Sequence, residues 1–317
     1  MNRRDVLTGI GAGAAMLLAD GFRIRASPRS EFRSADLPKL AITIDDPTTN
    51  APALYDANKK NDLLLATLER HKIKAALFVC GKRVDSDAGK ILVKSWSDAG
   101  HMICNHSYSH LYFNAPKLPF DVYRDDFLKG EAIIAGSASF KKFYRFPFLK
   151  EGETKEKRDG FRKLLADHGY QNGSVTIDTS DWYIDERLKA RLKKDASANL
   201  DSYRDYYLAH VWDRARYYDK LAVEIEGRQI AHTILLHHTL TNALWLDGLI
   251  TMFKSKGWLM IDAEQAFKDP IFNAQPEILP AGESLVWALA KQAGKIELRY
   301  PGEDDTYEKD AMDTLGL

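Results

Sequence analysis

The amino-acid sequence predicts an α/β protein: a deformed (β/α) barrel of about seven parallel strands, in a single domain with a helical insertion. Seven short apolar runs alternate with longer stretches whose apolar residues recur at i, i+3 and i+4. Such alternation is typical of parallel sheets covered by helices. Ionisable side chains follow several of the apolar runs, and no G-x-G-x-x-G motif follows the first, which favours a barrel over a doubly wound sheet.

The strands and helices follow from these patterns in chain order. The predicted strands cover residues 40–45, 75–81, 101–106, 144–148, 173–179, 233–238 and 258–265. Helical spacing is clearest in residues 61–71, 90–100 and 158–169, and the last two segments end in Gly, which is common just after a helix. The 317 residues have 45% hydrophobic content, which is enough for one large core.

Residues 1–30 have the layout of an export signal. Arg3 and Arg4 precede an apolar run rich in Gly, Ala and Leu that is too short to span a bilayer comfortably as a helix. The arginine pair indicates the twin-arginine route, and a short anchored helix is the alternative. We therefore expect a bacterial protein that is exported to the periplasm or the cell exterior, without stable membrane insertion once the signal is removed.

The rest of the chain is predicted to form the barrel over residues 31–270, with a C-terminal helix and tail, residues 271–317, packed on it. A charged, tyrosine-rich stretch at about 185–228 interrupts the alternation and predicts one or two amphipathic helices inserted between two strands. Its tyrosines are expected to pack on a half-buried face, and stacking against a ligand is the alternative.

The charge balance excludes one class of partner. Lys and Arg together number 45, as do Asp and Glu, so the formal net charge is zero. Binding to a phosphate backbone needs a basic face, so no nucleic-acid partner is expected. The oligomeric state cannot be deduced from these numbers. Cys80 and Cys104 lie in apolar, strand-like runs and are expected to be buried free thiols rather than a disulfide.

Ionisable side chains cluster at the C-terminal ends of five predicted strands. In chain order they are Asp45 and Asp46, His106 and His110, Arg145, Asp178 and Asp181, and His237 and His238. In parallel barrels, active sites are built at the carboxyl edge of the strands. We therefore expect these side chains to meet in one site.

Part of this set has the chemistry of a metal site. Two imidazoles and one carboxylate are a common set of ligands for a divalent ion. His106 and His110 are four positions apart, and if they lie on one helical turn their side chains share a face. Asp45 or Asp46 would complete the set. Neighbouring residues on a strand point to opposite faces, so the other carboxylate stays free to take a proton from a metal-bound water.

The other residues suit supporting roles in a hydrolysis. His237, across the site, can protonate a leaving group. Arg145 can hold the base carboxylate in orientation. Asp181 or Asp178 can set the tautomer and the pKa of His237.

Five ordered motifs join these residues into a recognisable pattern. They are "TIDD" at 43–46, "HSYSH" at 106–110, "RFPF" at 145–148, "DTSDW" at 178–182 and "ILLH" at 234–237. Together they resemble the motifs T-F-D-D, H-[ST]-x-x-H, R-x-P-[YF], D-x-x-D-W and L-x-H of the polysaccharide deacetylase (NodB-homology) family, carbohydrate esterase family four. The resemblance covers about residues 38–267, and five motifs in order are highly specific.

The resemblance implies a deformed (β/α) barrel that removes acetyl groups from an N-acetylated polysaccharide or oligosaccharide with the help of one divalent ion. Carried over residue by residue, it assigns Asp45 as the base, His237 as the acid, and Asp46, His106 and His110 as the metal ligands. It also assigns Asp181 to tuning His237, Arg145 to bracing Asp45, the backbone N–H of Phe148 to the oxyanion, and Trp182 and Leu235 to the acetyl pocket. Zinc is the default metal, and cobalt or nickel also suits such ligands.

Two departures from the family pattern concern the site. Pro47 follows Asp46 where the family usually has Gly, and a proline biases the preceding residue toward an extended backbone. His238 stands where Asp is common. Three alternatives remain open: the same site acting on O-acetyl esters, the same site acting on a non-sugar amide, and a non-catalytic barrel that binds a glycan without releasing acetate.

Overall fold

The computed structural model describes residues 37–51, 54–299, 301 and 305–317. The predicted export signal therefore lies outside the described residues. The strands are β1 (Lys39–Asp45), β2 (Ala76–Val79), β3 (Met102–Asn105), β4 (Phe140–Tyr144), β5 (Lys150–Gly152), β6 (Gln171–Asn172), β7 (Ala231–His237), β8 (Leu259–Met260) and β9 (Ala281–Gly282).

Helices connect and cover these strands. They are α1 (Ala57–His71), α2 (Gly81–Val84), α3 (Asp87–Asp98), α4 (Phe120–Ile134), α5 (Lys155–Asp167), α6 (Asp181–Lys194), α7 (Asp201–Glu226), α8 (Leu240–Ser255), α9 (Ala263–Ala266), α10 (Leu285–Gln292) and α11 (Thr306–Leu315). Several begin at residues that satisfy the first free amides. Asp56, Ser86 and Thr239 each accept a hydrogen bond from an amide three residues on.

The main sheet is parallel and has the order β6-β4-β3-β2-β1-β7. β2 pairs with the C-terminal part of β1, and β8 pairs with the first two residues of β1. β5 and β9 form a separate antiparallel pair. The parallel strands with connecting helices form a curled sheet, a half-barrel, so the predicted α/β barrel class is confirmed.

Residues 171–179 join the two edges of this curled sheet. At one end β6 pairs with β4, and at the other Ile177 forms an isolated bridge to β7. The prediction of a regular strand over residues 173–179 is therefore wrong. The amides of Thr176 and Ile177 both donate to the carbonyl of Thr233, at 3.1 and 3.0 Å, so a regular ladder cannot continue there.

Two other strands differ from their predicted bounds by more than two residues at one or both ends. β4 ends at Tyr144, so only the first residue of the strand predicted over residues 144–148 belongs to a strand. Two features prevent the strand from continuing. Pro147 lacks an amide donor, and Phe148 has a left-handed backbone with φ 57°. The strand predicted over residues 258–265 is limited to β8, because helix α9 follows after only two residues.

The stretch expected to be helical at about 185–228 consists of α6 and α7, and α6 begins four residues before it. Tyr203, Tyr207 and Tyr218 on α7 are buried in the main hydrophobic core. The expectation that these tyrosines pack is confirmed. At the C-terminal side α10 packs against α7.

Cys80 and Cys104 are buried and free, as predicted. No helix in the described ranges is long and apolar enough to cross a membrane.

Candidate active site

A cavity of about 510 Å³ opens at the carboxyl edge of the sheet. It brings together most of the predicted site residues: Asp45, Asp46, His106, His110, Phe148, Trp182, Leu235 and His237. Arg145 and Asp181 are fully buried behind this lining, where they contact Asp45 and His237. The strand-end residues thus meet in one place, as the parallel topology requires.

Asp46, His106 and His110 form a compact set of potential metal ligands. One donor atom from each lies within 4.8 Å of the others, and His110 Nε2 is 3.5 Å from Asp46 Oδ2. His106 Nδ1 donates to the carbonyl of Arg145 at 2.8 Å, which leaves Nε2 of His106 as the atom with a lone pair.

The protonation states of these three residues suit a cation. Burial lowers the pKa of His106 to about 3 and also lowers the pKa of His110, so both imidazoles are neutral. Burial alone would raise the pKa of Asp46, but His110, His106 and Arg83 together hold it below its usual value. Neutral imidazoles and an ionised carboxylate are the forms in which these side chains bind a divalent ion, so the set fits such an ion.

The loop that carries the two histidines is not a helical turn. Ser107 and His110 have φ of 66° and 59°, and the rings of His106 and His110 meet edge to face with centroids 4.9 Å apart. The expectation that a helical turn aligns them is wrong. The loop is instead held by the Asp126 carboxylate on α4, which accepts from the amides of Tyr108 and Ser109 at 3.1 and 3.0 Å.

Gly130 on α4 lets this loop approach the helix. A Cβ atom there would lie 2.6 Å from Asn105 Oδ1 and 2.6 Å from the carbonyl carbon of Ser107. Asn105 Oδ1 in turn accepts the Ser107 amide at 2.9 Å. The contact is therefore between α4 and the start of the histidine loop.

We expect Gly130→Ala to displace this loop and lower the free energy of unfolding by about 1–3 kcal/mol, although Ala favours helix. Urea titrations followed by circular dichroism measure the change. Gly248→Ala on α8 is the matched control, because nothing lies within 4 Å of its Cβ position; it should stabilise the protein by about 0.5–1 kcal/mol. Equal effects of the two substitutions would contradict this packing account.

Asp46 has a backbone that the sequence did not predict. Its φ is 59°, and its amide donates to the carbonyl of Phe78 at 3.1 Å. The extended backbone expected before Pro47 is therefore wrong: the bond to β2 turns the chain at the end of β1, and Asp tolerates the left-handed region better than most residues. Because of this turn, Asp45 and Asp46 both line the cavity instead of pointing to opposite faces.

Asp45 and Arg145 form a fully buried ion pair, with Arg145 Nη1 2.5 Å from Asp45 Oδ1. Arg145 is itself fixed by the carbonyl of Gly173 at 2.8 Å and the hydroxyl of Thr43 at 3.0 Å. Burial raises the pKa of Asp45 to about 6, although Arg145 opposes the rise. The second Asp45 oxygen is 3.6 Å from His106 Nε2, so the carboxylate borders the ligand set.

His237 is held by Asp181 through two bonds. Asp181 Oδ1 is 2.7 Å from His237 Nδ1, and Oδ2 accepts the His237 amide at 2.8 Å. Asn242 braces the pair by donating to Asp181 Oδ2 at 2.6 Å. Burial alone would lower the pKa of His237, but the Asp181 carboxylate outweighs it and raises this pKa to about 9. Asp181 rather than Asp178 is therefore the partner of His237, although Asp178 also lines the cavity.

The turn at Phe148 forms one wall of the cavity. The Phe148 ring is 43% exposed and packs edge to face on His110, with centroids 4.6 Å apart. The next residue, Leu149, accepts the Glu283 amide at 2.9 Å. Only glycine fits at Gly282, because its φ is 124° and a Cβ would lie 2.0 Å from the Leu149 oxygen. A distant C-terminal segment thus fixes this wall.

His238 also lines the cavity, and its side chain contacts α1. It is buried, and its Nε2 lies 3.2 Å from Asn61 Oδ1 on α1. Burial keeps the pKa of His238 well below its usual value, so the ring is neutral. We assign it a packing role between β7 and α1.

Three features of the site were missed from the sequence. Arg83, just after β2, places Nε 3.1 Å from Asp46 Oδ1; its position near a strand end could have drawn attention to it. Leu149 joins Leu235 in a small apolar cluster. Asn242 lies in the first turn of α8, and no sequence pattern distinguished it.

A buried chain also links α11 to the site. The Ser180 amide donates to His210 Nε2 at 3.0 Å, and His210 Nδ1 is 3.2 Å from Glu308 Oε1. Ser180 directly precedes Asp181, so Glu308 on α11 supports the position of the residue that holds His237. No local pattern could have indicated this contact.

The carboxyl edge of the curled parallel sheet thus holds an Asp-His-His set, a buried Asp–Arg pair and an Asp–His pair, in the position where parallel barrels build their active sites. The family model described as polysaccharide deacetylase matches residues 33–173. Residues 33–173 are therefore similar to this family, and the resemblance inferred from the motifs is confirmed.

One relative is also similar in sequence over part of the chain. The peptidoglycan-N-acetylglucosamine deacetylase of Bacillus cereus is 31% identical over 145 residues, which cover 45% of this chain and 46% of that protein. The match thus spans less than half the length of this relative.

Two solved structures show the same fold. A mutant of a CE4 family pseudoenzyme with restored enzymatic activity has a TM-score of 0.51 at 22% identity, over 74% of this chain and 69% of that one. The wild-type pseudoenzyme from Bacillus anthracis has a TM-score of 0.50 at 20% identity, over 74% and 66%.

Proposed function

We propose that this protein is a metal-dependent hydrolase that removes acetyl groups from an N-acetylated polysaccharide or oligosaccharide. The observation that carries the proposal is the Asp46, His106 and His110 set, within 4.8 Å, in one cavity with Asp45 and His237. The name of the Bacillus cereus relative supports an N-acetylated glycan as the substrate class.

Asp46, His106 and His110 would hold one divalent ion, with zinc as the default and cobalt or nickel also compatible. When bound, the ion supplies Lewis-acid polarisation and lowers the pKa of water. Asp45 borders this set and acts as the general base, because Arg145 holds its carboxylate in place while leaving the second oxygen directed at the ligands.

His237 acts as the general acid. Asp181 holds the proton on Nδ1, so Nε2 of the protonated ring donates to the leaving nitrogen. Leu235 and Trp182 form the acetyl pocket, with Leu149 beside them. The backbone N–H of Phe148 donates to the oxyanion as the carbonyl becomes tetrahedral.

The acid role of His237 predicts the alkaline limb of the pH profile. Its pKa is about 9, and the donor must be protonated, so kcat/KM should fall as the pH rises through about 9. Asp181→Asn removes the charge that raises this pKa, and the limb should move to lower pH. An unchanged limb in that variant would assign the acid role to another group.

An acetate-release screen tests the substrate class. Chitin oligomers, peptidoglycan, acetyl-xylan and small cyclic amides are compared at equal concentrations of hydrolysable groups. We expect acetate and a free amine from the N-acetylated glycans. Acetate from acetyl-xylan alone would indicate an O-acetyl esterase, and hydrolysis of the cyclic amides alone would indicate a non-sugar amidase.

The second candidate function is a non-catalytic barrel that binds a glycan, because a solved structure of the same fold is a pseudoenzyme. It would bind sugar in calorimetry without releasing acetate from any substrate. The presence of Asp45 and all three potential ligands weighs against this candidate.

We further propose that the chain acts outside the cytoplasm, in the periplasm or the cell exterior. The paired arginines and apolar run of residues 1–30 support export. Fractionation of cells that carry the intact chain or an Arg3→Lys, Arg4→Lys variant tests this. Equal distribution of both would contradict the twin-arginine route.

A further inference from the structure

One cation in the cavity is unexplained by the deacetylation chemistry. Lys60 on α1 lines the cavity, yet its residue is only 3% exposed. Its Nζ lies 3.5 Å from the carbonyl of Asn50, and no other acceptor is found for it in residues 37–51, 54–299, 301 and 305–317. A buried ammonium group with one long hydrogen bond is costly, because its charge has lost most of its hydration.

Two charged groups, Asp185 and Lys189, act on the ammonium group of Lys60. Burial lowers the pKa of Lys60 to about 8; Asp185 opposes this effect, and Lys189 reinforces it. Lys60, Lys189 and Asp185 together carry a net charge of about +1 when all three are ionised, and Glu186 also lines the cavity.

Asp185 is already occupied by other donors. Its Oδ1 accepts from the amide and the hydroxyl of Thr241, at 2.9 and 3.1 Å, and its Oδ2 pairs with Lys189 Nζ at 2.9 Å. Asp185 therefore orients Lys189 at the cavity and leaves Lys60 free to bond an incoming acceptor. Both Asp185 and Lys189 line the same cavity as the potential metal ligands.

We propose that Lys60, assisted by Lys189, forms a subsite that binds a carboxylate on the acetylated glycan. A carboxylate supplies both the acceptor oxygens and the negative charge that the buried ammonium lacks, whereas a neutral hydroxyl supplies only an acceptor. The preferred substrate is then an acidic N-acetylated glycan whose sugar ring bears a free carboxylate. This inference rests on the proposed deacetylase function and narrows its substrate.

Matched substrates test the subsite. An N-acetylated oligosaccharide with a uronic acid unit is compared with the same molecule after its carboxylate is reduced to a primary alcohol. The wild-type kcat/KM should be roughly 10- to 100-fold higher for the carboxylated form. Lys60→Met should bring this ratio close to one, and Lys60→Arg should restore part of it. Lys59→Met, at the exposed neighbour on α1, should keep the wild-type ratio.

Binding of the deacetylated, carboxylated product by calorimetry separates this inference from the proposed function. We expect Lys60→Met to weaken its Kd by roughly 10-fold or more, with a thermal unfolding midpoint close to that of wild type. Equal hydrolysis of both substrates would overturn the carboxylate subsite while leaving the deacetylase intact. Product binding that depends on Lys60, without acetate release from any substrate, would overturn the deacetylase and leave the subsite intact.

Discussion

Asp45→Asn is expected to reduce acetate release by about 100- to 10,000-fold, because an amide cannot accept the proton that the general base takes. The substitution keeps the volume of the side chain. It does leave the buried Arg145 without a counter-ion, so some loss of stability is expected as well. Steady-state acetate release measures the loss of kcat.

Ion binding distinguishes a lost base from a damaged site. We expect Asp45→Asn to retain one divalent ion per chain by elemental analysis, since the three potential ligands remain. Near-native circular dichroism at the assay temperature is the required control. Full activity in this variant would contradict the role of Asp45.

The adjacent substitution Asp46→Asn should give the complementary result. It removes the charged ligand, so the affinity for the divalent ion should fall by about 100-fold or more, and acetate release should fall with it. Excess zinc should restore part of the activity in this variant but none in Asp45→Asn. Zinc titration by calorimetry measures the affinity directly.

Two neighbouring, isosteric changes thus give different signatures. If Asp46→Asn bound the ion as tightly as wild type, Asp46 would not be a ligand. If excess zinc rescued Asp45→Asn, the order of the two roles would be reversed.

The parallel topology explains why much of the site was predictable. Strands of one sheet end at one edge, so polar residues after separate strands converge without knowledge of the loops. Asp45, His106 and His237 lie at or just after the ends of β1, β3 and β7, and all three line the cavity. The order of the five sequence motifs also predicted that these residues form one site.

The local backbone was less predictable because distant contacts determine it. Asp46 turns into the left-handed region through a bond to Phe78, and the histidine loop follows from Asp126 on α4. The sequence preferences before Pro47 and at i, i+4 spacing act over a few residues only. Tertiary hydrogen bonds outweighed them at both positions.

The least predictable features join parts of the chain that are far apart in sequence. Glu308 on α11 supports the Asp181 region through His210, and Gly282 fixes the turn at Phe148. Neither contact has a periodic or motif signal. Lys60 likewise lies in an ordinary helical stretch, and only its burial in the cavity sets it apart.

In the proposed mechanism, acetate release depends on a divalent ion held by Asp46, His106 and His110. The most direct measurement is acetate release from an N-acetylated oligosaccharide before chelation, after chelation and dialysis, and after stoichiometric zinc is returned. We expect activity to be lost on chelation and recovered with one zinc per chain. Acetate release that persists in the ion-free protein, or none at any stage despite sugar binding, would contradict it.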